Sequence, residues 1–210
     1  MLIGVLSVQG SFAEHIKVLD NLKVRHIQLR NFHDLSYNID GLILPGGEST
    51  VQGKLIKESG MLSHLRRQIN DGLPVLATCA GMILLAKDIS NDEKPHLATL
   101  PIRVRRNGFG RQIESFYTEE DFTGLGMVPM TFIRAPYVEK VFKDTQVLAT
   151  VKDRIVAVQY KNQIALSFHP ELNDDYRIHE MFIDMAQKRK KQVQSLIAAA
   201  ALLTSENLQL

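Results

Sequence analysis

The sequence predicts an α/β fold in three layers: a mostly parallel central sheet flanked by helices, with added antiparallel strands. Short apolar runs of strand length alternate with amphipathic runs through the first part of the chain, which is the pattern of strand–helix–strand units around a parallel sheet. The middle then changes to short strand-like runs separated by turn residues, the mark of antiparallel elements. A length of 210 residues suits one sizeable domain with a full hydrophobic core.

The elements follow in order. Leu2 to Val8 is an apolar run that reads as a first buried strand. A helix is expected from Phe12 to Leu22, with Ile16, Leu19 and Leu22 as its inner stripe. Val24 to Leu29 alternates as a second strand, and Gly41 to Leu44 is a third, stopped by Pro45-Gly46-Gly47. Ser49 or Thr50 is the expected cap of the next helix, Gly60 its end, and Leu62 to Asp71 a further helix. Pro74 to Thr78 is a core strand running into Cys79 and a helix from Met82 to Lys87.

Beyond this, Ile102–Arg105, Glu114–Tyr117, Met130–Ile133, Val147–Val151, Ile155–Gln159 and Gln163–Ser167 read as shorter strands. Asn107-Gly108 and Thr123-Gly124 supply turns between them. A helix from Tyr176 to about Lys190 closes the domain, with Ile178, Met181, Phe182 and Met185 on one face. No repeat or linker divides the chain, so residues 1–191 are expected to form a single domain. Residues 192–210 then form a C-terminal extension. Its apolar run, Leu196 to Leu203, is far too short for a membrane anchor and reads as a solvated or partner-docked helix.

Charge and cysteine usage narrow the function. Lys plus Arg total 25 against 23 Asp plus Glu, so neither nucleic acid nor an anionic membrane surface is an expected partner. The apolar start lacks a basic leader and ends at Gln9-Gly10, as a buried strand does and a signal peptide does not. One cysteine excludes an internal disulfide framework and suits a reducing compartment, so a cytoplasmic location is expected.

That cysteine is the first candidate for chemistry. Cys79 lies where a strand ends and a helix begins, flanked by the small residues Ala77, Ala80 and Gly81 that permit a sharp bend. Helix amides aimed at the sulfur lower a thiol pKa from about 8.5, and the same amides can hold an oxyanion. A lone cysteine is more commonly a buried structural residue, so position alone does not decide. Phe168-His169-Pro170-Glu171 follows another strand. A cysteine nucleophile needs an imidazole to take and return a proton, and the imidazole needs a carboxylate to fix its tautomer. A surface turn would carry the same residues. The other histidines, at positions 15, 26, 33, 64, 96 and 179, lack such a setting and are expected at the surface or the edge of the core. Pro45-Gly46-Gly47-Glu48-Ser49 is either a tight turn or a loop whose amides face a carboxylate or an oxyanion.

Together these pieces resemble the class I (triad) glutamine amidotransferase family, and within it the glutaminase subunits of pyridoxal 5'-phosphate synthases. The similarity covers nearly the whole chain. It is carried by Gly4-Val5-Leu6 with Gln9-Gly10, by Leu42 through Thr50, and by Thr78-Cys79-Ala80-Gly81. It continues through Arg106-Asn107 with Phe109-Gly110-Arg111-Gln112, Phe132-Ile133-Arg134-Ala135-Pro136, and Ser167 through Glu171. The stretches around Arg106 and Arg134 discriminate most, because other triad glutaminases do not share them. Two positions depart from the family pattern: Ala77 replaces the usual elbow glycine, and Gly108 a usual serine. The tail beyond Lys191 is not explained by the resemblance.

The resemblance implies a flavodoxin-like fold and a mechanism. Cys79 attacks the side-chain carbonyl of glutamine, and amides near Gly47 and Ala80 hold the oxyanion. His169 protonates the departing ammonia and then activates water, while Glu171 orients His169. Gly46, Gly47, Glu48, Arg106, Ile133 and Arg134 hold the glutamine, an arginine suiting its α-carboxylate. Strand alternation does not assign which of Arg103, Arg105 and Arg106 faces the pocket. No cofactor and no metal are implied. The implied partner is a ring-shaped synthase core decorated by glutaminase subunits, with Gln9 and Gly10 near the interface. The alternatives are a glutaminase serving another acceptor, such as imidazole glycerol phosphate synthase, and a non-catalytic binding subunit.

Overall fold

The structure is a computed structural model that describes residues 1–90, 94–108 and 115–206, with side chains as far as residue 200. Its first half alternates strand and helix: β1 (Ile3–Leu6), α1 (Phe12–Asn21), β2 (His26–Leu29), β3 (Gly41–Leu44), α2 (Ser49–Glu58), α3 (Met61–Asn70), β4 (Val75–Thr78) and α4 (Ala80–Leu85). Strands dominate the second half: β5 (Ala86–Ile89), β6 (Leu100–Arg105), β7 (Ser115–Phe122), β8 (Gly126–Ile133), β9 (Tyr137–Val141), β10 (Gln146–Val151), β11 (Arg154–Tyr160) and β12 (Gln163–Leu166). The helix α5 (Arg177–Glu206) closes the chain, and short 3-10 turns lie at Phe32–Ser36 and Pro170–Leu172.

Five strands in the order β2-β1-β3-β4-β12 run parallel, the arrangement of a flavodoxin-like sheet. Antiparallel β11 and β9 extend it, followed by β6 and β5, and β10 pairs β11 outside that path. Because successive strand residues face opposite ways, the apolar strands serve two cores. Ile3, Val5, Ile43, Leu76, Ile164 and Leu166 pack with Leu19 of α1 and with Ile178, Phe182 and Ala186 of α5. Leu6, Leu42, Leu44, Val75, Ala77 and Ala165 pack with Ile56 of α2 and with Leu65 and Ile69 of α3. Covering both faces makes the expected three layers, and each large apolar side chain so buried contributes roughly 1.5–3 kcal/mol. Among the described residues, no helix is long and apolar enough to cross a membrane.

Several expectations need correction. The strand at Gln163 belongs to the parallel core: it pairs parallel with β4 as well as antiparallel with β11, and all four of its residues are buried. α4 starts at Ala80 and ends at Leu85, and Ala86–Ile89 is a strand; every residue of α4 is buried, so no amphipathic stripe marks its limits. β7 and β8 are eight residues each and form a separate antiparallel ribbon. β9 was not among the expected strands. Glu114 and the Phe109–Gln112 stretch lie outside the described residues. α2 is capped by Glu48, not Ser49 or Thr50, because its carboxylate accepts from the amides of both Thr50 and Val51. α5 continues past Lys190 as one helix, exposed from Lys191 to Ala200.

Candidate active site

The C-terminal ends of the parallel strands gather the candidate residues on one edge. β1 leads to Gln9–Ser11, β3 to Pro45–Glu48, β4 to Cys79 and β12 to Ser167–Glu171. Thr78 pairs with Leu166 in register, so Cys79 and the Phe168–Glu171 turn emerge side by side. Crevices outside these strand ends are where open α/β sheets bind ligands.

Cys79 has φ 48° and ψ −101°, a conformation a non-glycine residue rarely adopts. Its amide donates to the Leu166 carbonyl at 2.8 Å, and its carbonyl accepts from Met82 at 3.1 Å as α4 begins. The bend is tight against β3: a Cβ on Gly81 would lie 2.1 Å from the Leu44 carbonyl oxygen, so no side chain fits there. Ala77, two positions before Cys79, is in regular pairing with Leu44 and Ala165 and takes no part in the unusual backbone of the bend. The Cys79 sulfur reaches the pocket and lies 3.9 Å from the Ile133 carbonyl.

His169 is held by its amide, which donates to the Thr131 carbonyl at 2.9 Å. The 3-10 turn that starts at Pro170 then brings Glu171 back, so that Nδ1 of His169 lies 2.7 Å from Glu171 Oε1. Cys79 and His169 line the same pocket, close enough for the sulfur to act electrostatically on the imidazole. Burial alone would lower the His169 pKa, but the influence of Cys79 and the hydrogen bond and charge of Glu171 outweigh it and raise it to about 10. Burial works against the Glu171 carboxylate too, yet His15 and His169 hold its pKa down to about 2. The result is a thiol, an imidazole and a carboxylate in sequence, with the imidazole favoured as a cation.

A pocket of about 560 Å³ opens over this group, within the range of small-molecule sites. Gly46, Gly47, Glu48, Arg106, Ile133, Arg134 and Gln9 all line it together with Cys79 and His169. Gly10 packs behind the loop, and Ala80 starts the helix after the thiol. Of the three arginines left open by strand alternation, Arg106 faces the pocket. Arg103 pairs with Asp88 and Arg105 with Glu139. Arg106 donates to Glu48 at 2.9 Å and to Thr50 at 3.1 Å. Burial would raise the Glu48 pKa, but the amides of Val51 and Thr50, and then Arg106, hold it below the usual carboxylate range. Gln9 ties the loop in place: its side-chain oxygen accepts from the Glu48 amide at 2.9 Å, and Gln52 donates to its carbonyl. Among the described residues, no group of three or more His, Cys, Asp or Glu could hold a metal ion.

The sequence reading missed three residues here. The Ser11 hydroxyl donates to Glu171 Oε1 at 2.9 Å. His15 and His179, expected at the surface or the core edge, are both fully buried, and His15 lies 3.4 Å from Glu171 Oε2. A signal existed: His15 precedes the buried Val18 and Leu19 by three and four residues, and His179 stands in the same relation to Phe182 and Ile183. Those spacings put each histidine on an inward helix face.

Comparison with known proteins finds relatives over most of the chain. The model of the SNO glutamine amidotransferase family matches residues 5–188. The pyridoxal 5'-phosphate synthase subunit PdxT of Desulfitobacterium hafniense (strain DSM 10664 / DCB-2) is 61% identical over 184 residues, covering 88% of this chain and 92% of the relative. The protein of the same name from Streptococcus pneumoniae (strain CGSP14) is 50% identical over 194 residues, covering 91% of this chain and all of the relative (100%). A solved glutamine amidotransferase structure superposes with a TM-score of 0.84 at 41% identity, covering 88% of this chain and 98% of that one. A putative GMP synthase component from Thermoplasma acidophilum, at 20% identity and a TM-score of 0.67 over 92% of this chain and 98% of its own, shares the fold.

Proposed function

The chain belongs to the SNO glutamine amidotransferase family, and from that premise we propose that Cys79, His169 and Glu171 release ammonia from glutamine for a pyridoxal 5'-phosphate synthase partner. The observation that carries the catalytic assignment is the arrangement: Cys79 and His169 on one open pocket, with His169 Nδ1 at 2.7 Å from Glu171. With Nδ1 committed to Glu171, the remaining ring nitrogen serves the thiol.

The Cys79 thiolate adds to the amide carbon of glutamine, and its oxygen takes the negative charge beside the amides near Gly47 and Ala80. Collapse breaks the carbon–nitrogen bond, and the His169 imidazolium gives its proton to the departing ammonia. Water then attacks the glutamyl thioester, losing its proton to His169, and collapse returns glutamate, thiolate and imidazolium. Gly46, Gly47, Glu48, Arg106, Ile133 and Arg134 hold the substrate, with Arg106 on the α-carboxylate.

Ammonia freed into water would be protonated, so docking against the acceptor preserves it as a nucleophile. The names of the PdxT relatives support a synthase partner, and a ring-shaped synthase core carrying these subunits is the assembly we infer. Gln9 and Gly10 are read as interface residues. Pressure there would reach the Pro45–Glu48 loop through the Gln9 to Glu48 bond, so the free chain is expected to be a poor glutaminase. Residues 1–191 are read as the amidotransferase domain and 192–210 as an extension, which the exposure of α5 from Lys191 to Ala200 supports. A cytoplasmic location suits an enzyme that depends on a free thiol.

The test is ammonia release from glutamine by the full chain alone, with a pyridoxal 5'-phosphate synthase core, and with imidazole glycerol phosphate synthase. Release should rise with the first partner and not with the second. Equal turnover in all three would refute the partner assignment.

A further inference from the structure

Two histidines from opposite ends of the chain meet behind Glu171. Nδ1 of His15 lies 3.0 Å from Nε2 of His179. Nε2 of His15 lies 3.1 Å from the Thr78 hydroxyl and 3.4 Å from Glu171 Oε2. Both rings are fully buried, and neither is among the described residues that line the pocket. Glu171 Oε2 and His179 Nδ1 are buried without a hydrogen-bond partner among the described residues.

Hydrogen-bond accounting chooses the tautomers. A neutral imidazole has one N–H and one bare nitrogen. Suppose His15 carried its proton on Nδ1 and donated to His179. Its bare Nε2 would then turn a lone pair toward the Glu171 carboxylate, and His179 would keep a buried N–H with no acceptor, a defect that folded proteins avoid. With the proton on Nε2 in both rings, His179 donates to His15, and His15 donates to Thr78 with its N–H edge facing Glu171. On the two rings, a bare nitrogen on His179 is then all that stays unpaired. Burial favours the neutral form of each ring and is the largest influence on both, lowering His15 and pushing His179 down to about 3.

We propose that His15 is a positioning residue for the Cys79–His169–Glu171 group, its Nε2–H tautomer selected by His179 and directed at Glu171. This rests on the reading of that group as catalytic. The N–H stabilises the ionised carboxylate from behind while Oε1 faces His169. The titratable groups that bear on Glu171 are His15 and His169, and those that bear on His15 are Glu171, His169, Glu14 and His179. Without the positive N–H edge of His15 beside it, Glu171 protonates at higher pH and releases the imidazole, so the acid limb of the rate profile moves upward. Glutamine binding is little affected, because His15 does not line the pocket.

The test has two arms. In the unmutated full chain carrying nitrogen-15 histidine, ring nitrogen NMR should report Nε2–H at both His15 and His179; Nδ1–H at His15 would overturn the proposal. With the synthase present, His15→Leu should lower kcat about tenfold to a hundredfold, the scale of loss when an outer group that orients a metal ligand is removed, with KM near the parent value and the acid limb displaced. His15→Gln, which keeps an amide donor, should recover most of the rate. Equal losses in both variants with an unmoved pH profile would mean a packing role and overturn it. Cys79→Ala separates this from the catalytic reading: retained glutamine turnover would sink the triad, while the ring tautomers answer the present proposal in either case.

Discussion

Gly46 stands so close to the imidazole of His169 that a Cβ built on it would lie 2.3 Å from Cε1. The loop after β3 therefore leaves the space that His169 occupies beside Cys79. Gly46→Ala must displace either the ring or the loop, and a misplacement of about 1 Å can cost roughly 10²-fold in rate. The expected result is a kcat about a hundredfold lower with the synthase present, at a melting temperature close to the parent's. A parent-like rate would show that the ring has freedom the packing denies it.

Replacing Cys79 tests chemistry and backbone together. Cys79→Ala should abolish glutamine-dependent synthesis by the complex and leave ammonia-dependent synthesis intact; loss of both would make the cysteine structural. Because position 79 has φ 48°, Cys79→Gly should be more stable than Cys79→Ala by about 1 kcal/mol or more, the strain a side chain causes there. Chemical denaturation of the two variants gives the comparison directly.

Arg106 is expected to act on binding. Losing a hydrogen bond to a charged group costs about 1.5–3 kcal/mol, so Arg106→Ala should raise the KM for glutamine about tenfold or more. Arg103→Ala and Arg105→Ala remove outward pairs with Asp88 and Glu139 and should leave KM near the parent value. A larger effect from Arg105 than from Arg106 would reverse the assignment.

Glu171 links stability to acid. Its pKa falls from 4.5 in the unfolded reference to about 2 in the fold, so its contribution is present above pH 4.5 and is lost as pH drops toward 2. The full effect is on the order of 3 kcal/mol. Unfolding free energies measured across that window should therefore fall more steeply for the parent than for Glu171→Gln. Parallel curves would mean that the carboxylate is not held in its ionised form.

Much of this protein was written locally. Cys79 at a strand-to-helix junction, His169-Pro170-Glu171 after a strand, and the glycines after β3 were legible because turn chemistry and apolar period act over a few residues. The same locality explains the misplaced limits of α4, whose six buried residues carry no polar face. Sequence thus determined which groups exist and the kind of backbone each sits on.

Only the tertiary structure decided who meets whom. A strand buried on both faces, as β12 is, carries no mark of its neighbour, and its parallel pairing with β4 is what sets His169 beside Cys79. Likewise, Arg106 faces the pocket because the chain leaves β6 there, a turn that alternation along the strand does not encode. His15 and His179 come from helices at opposite ends of the chain, and they meet under Glu171 because α1 and α5 cover the same face of the sheet. Short-range rules specify elements; the pairing of distant elements is set by burial, where many weak contacts are satisfied at once.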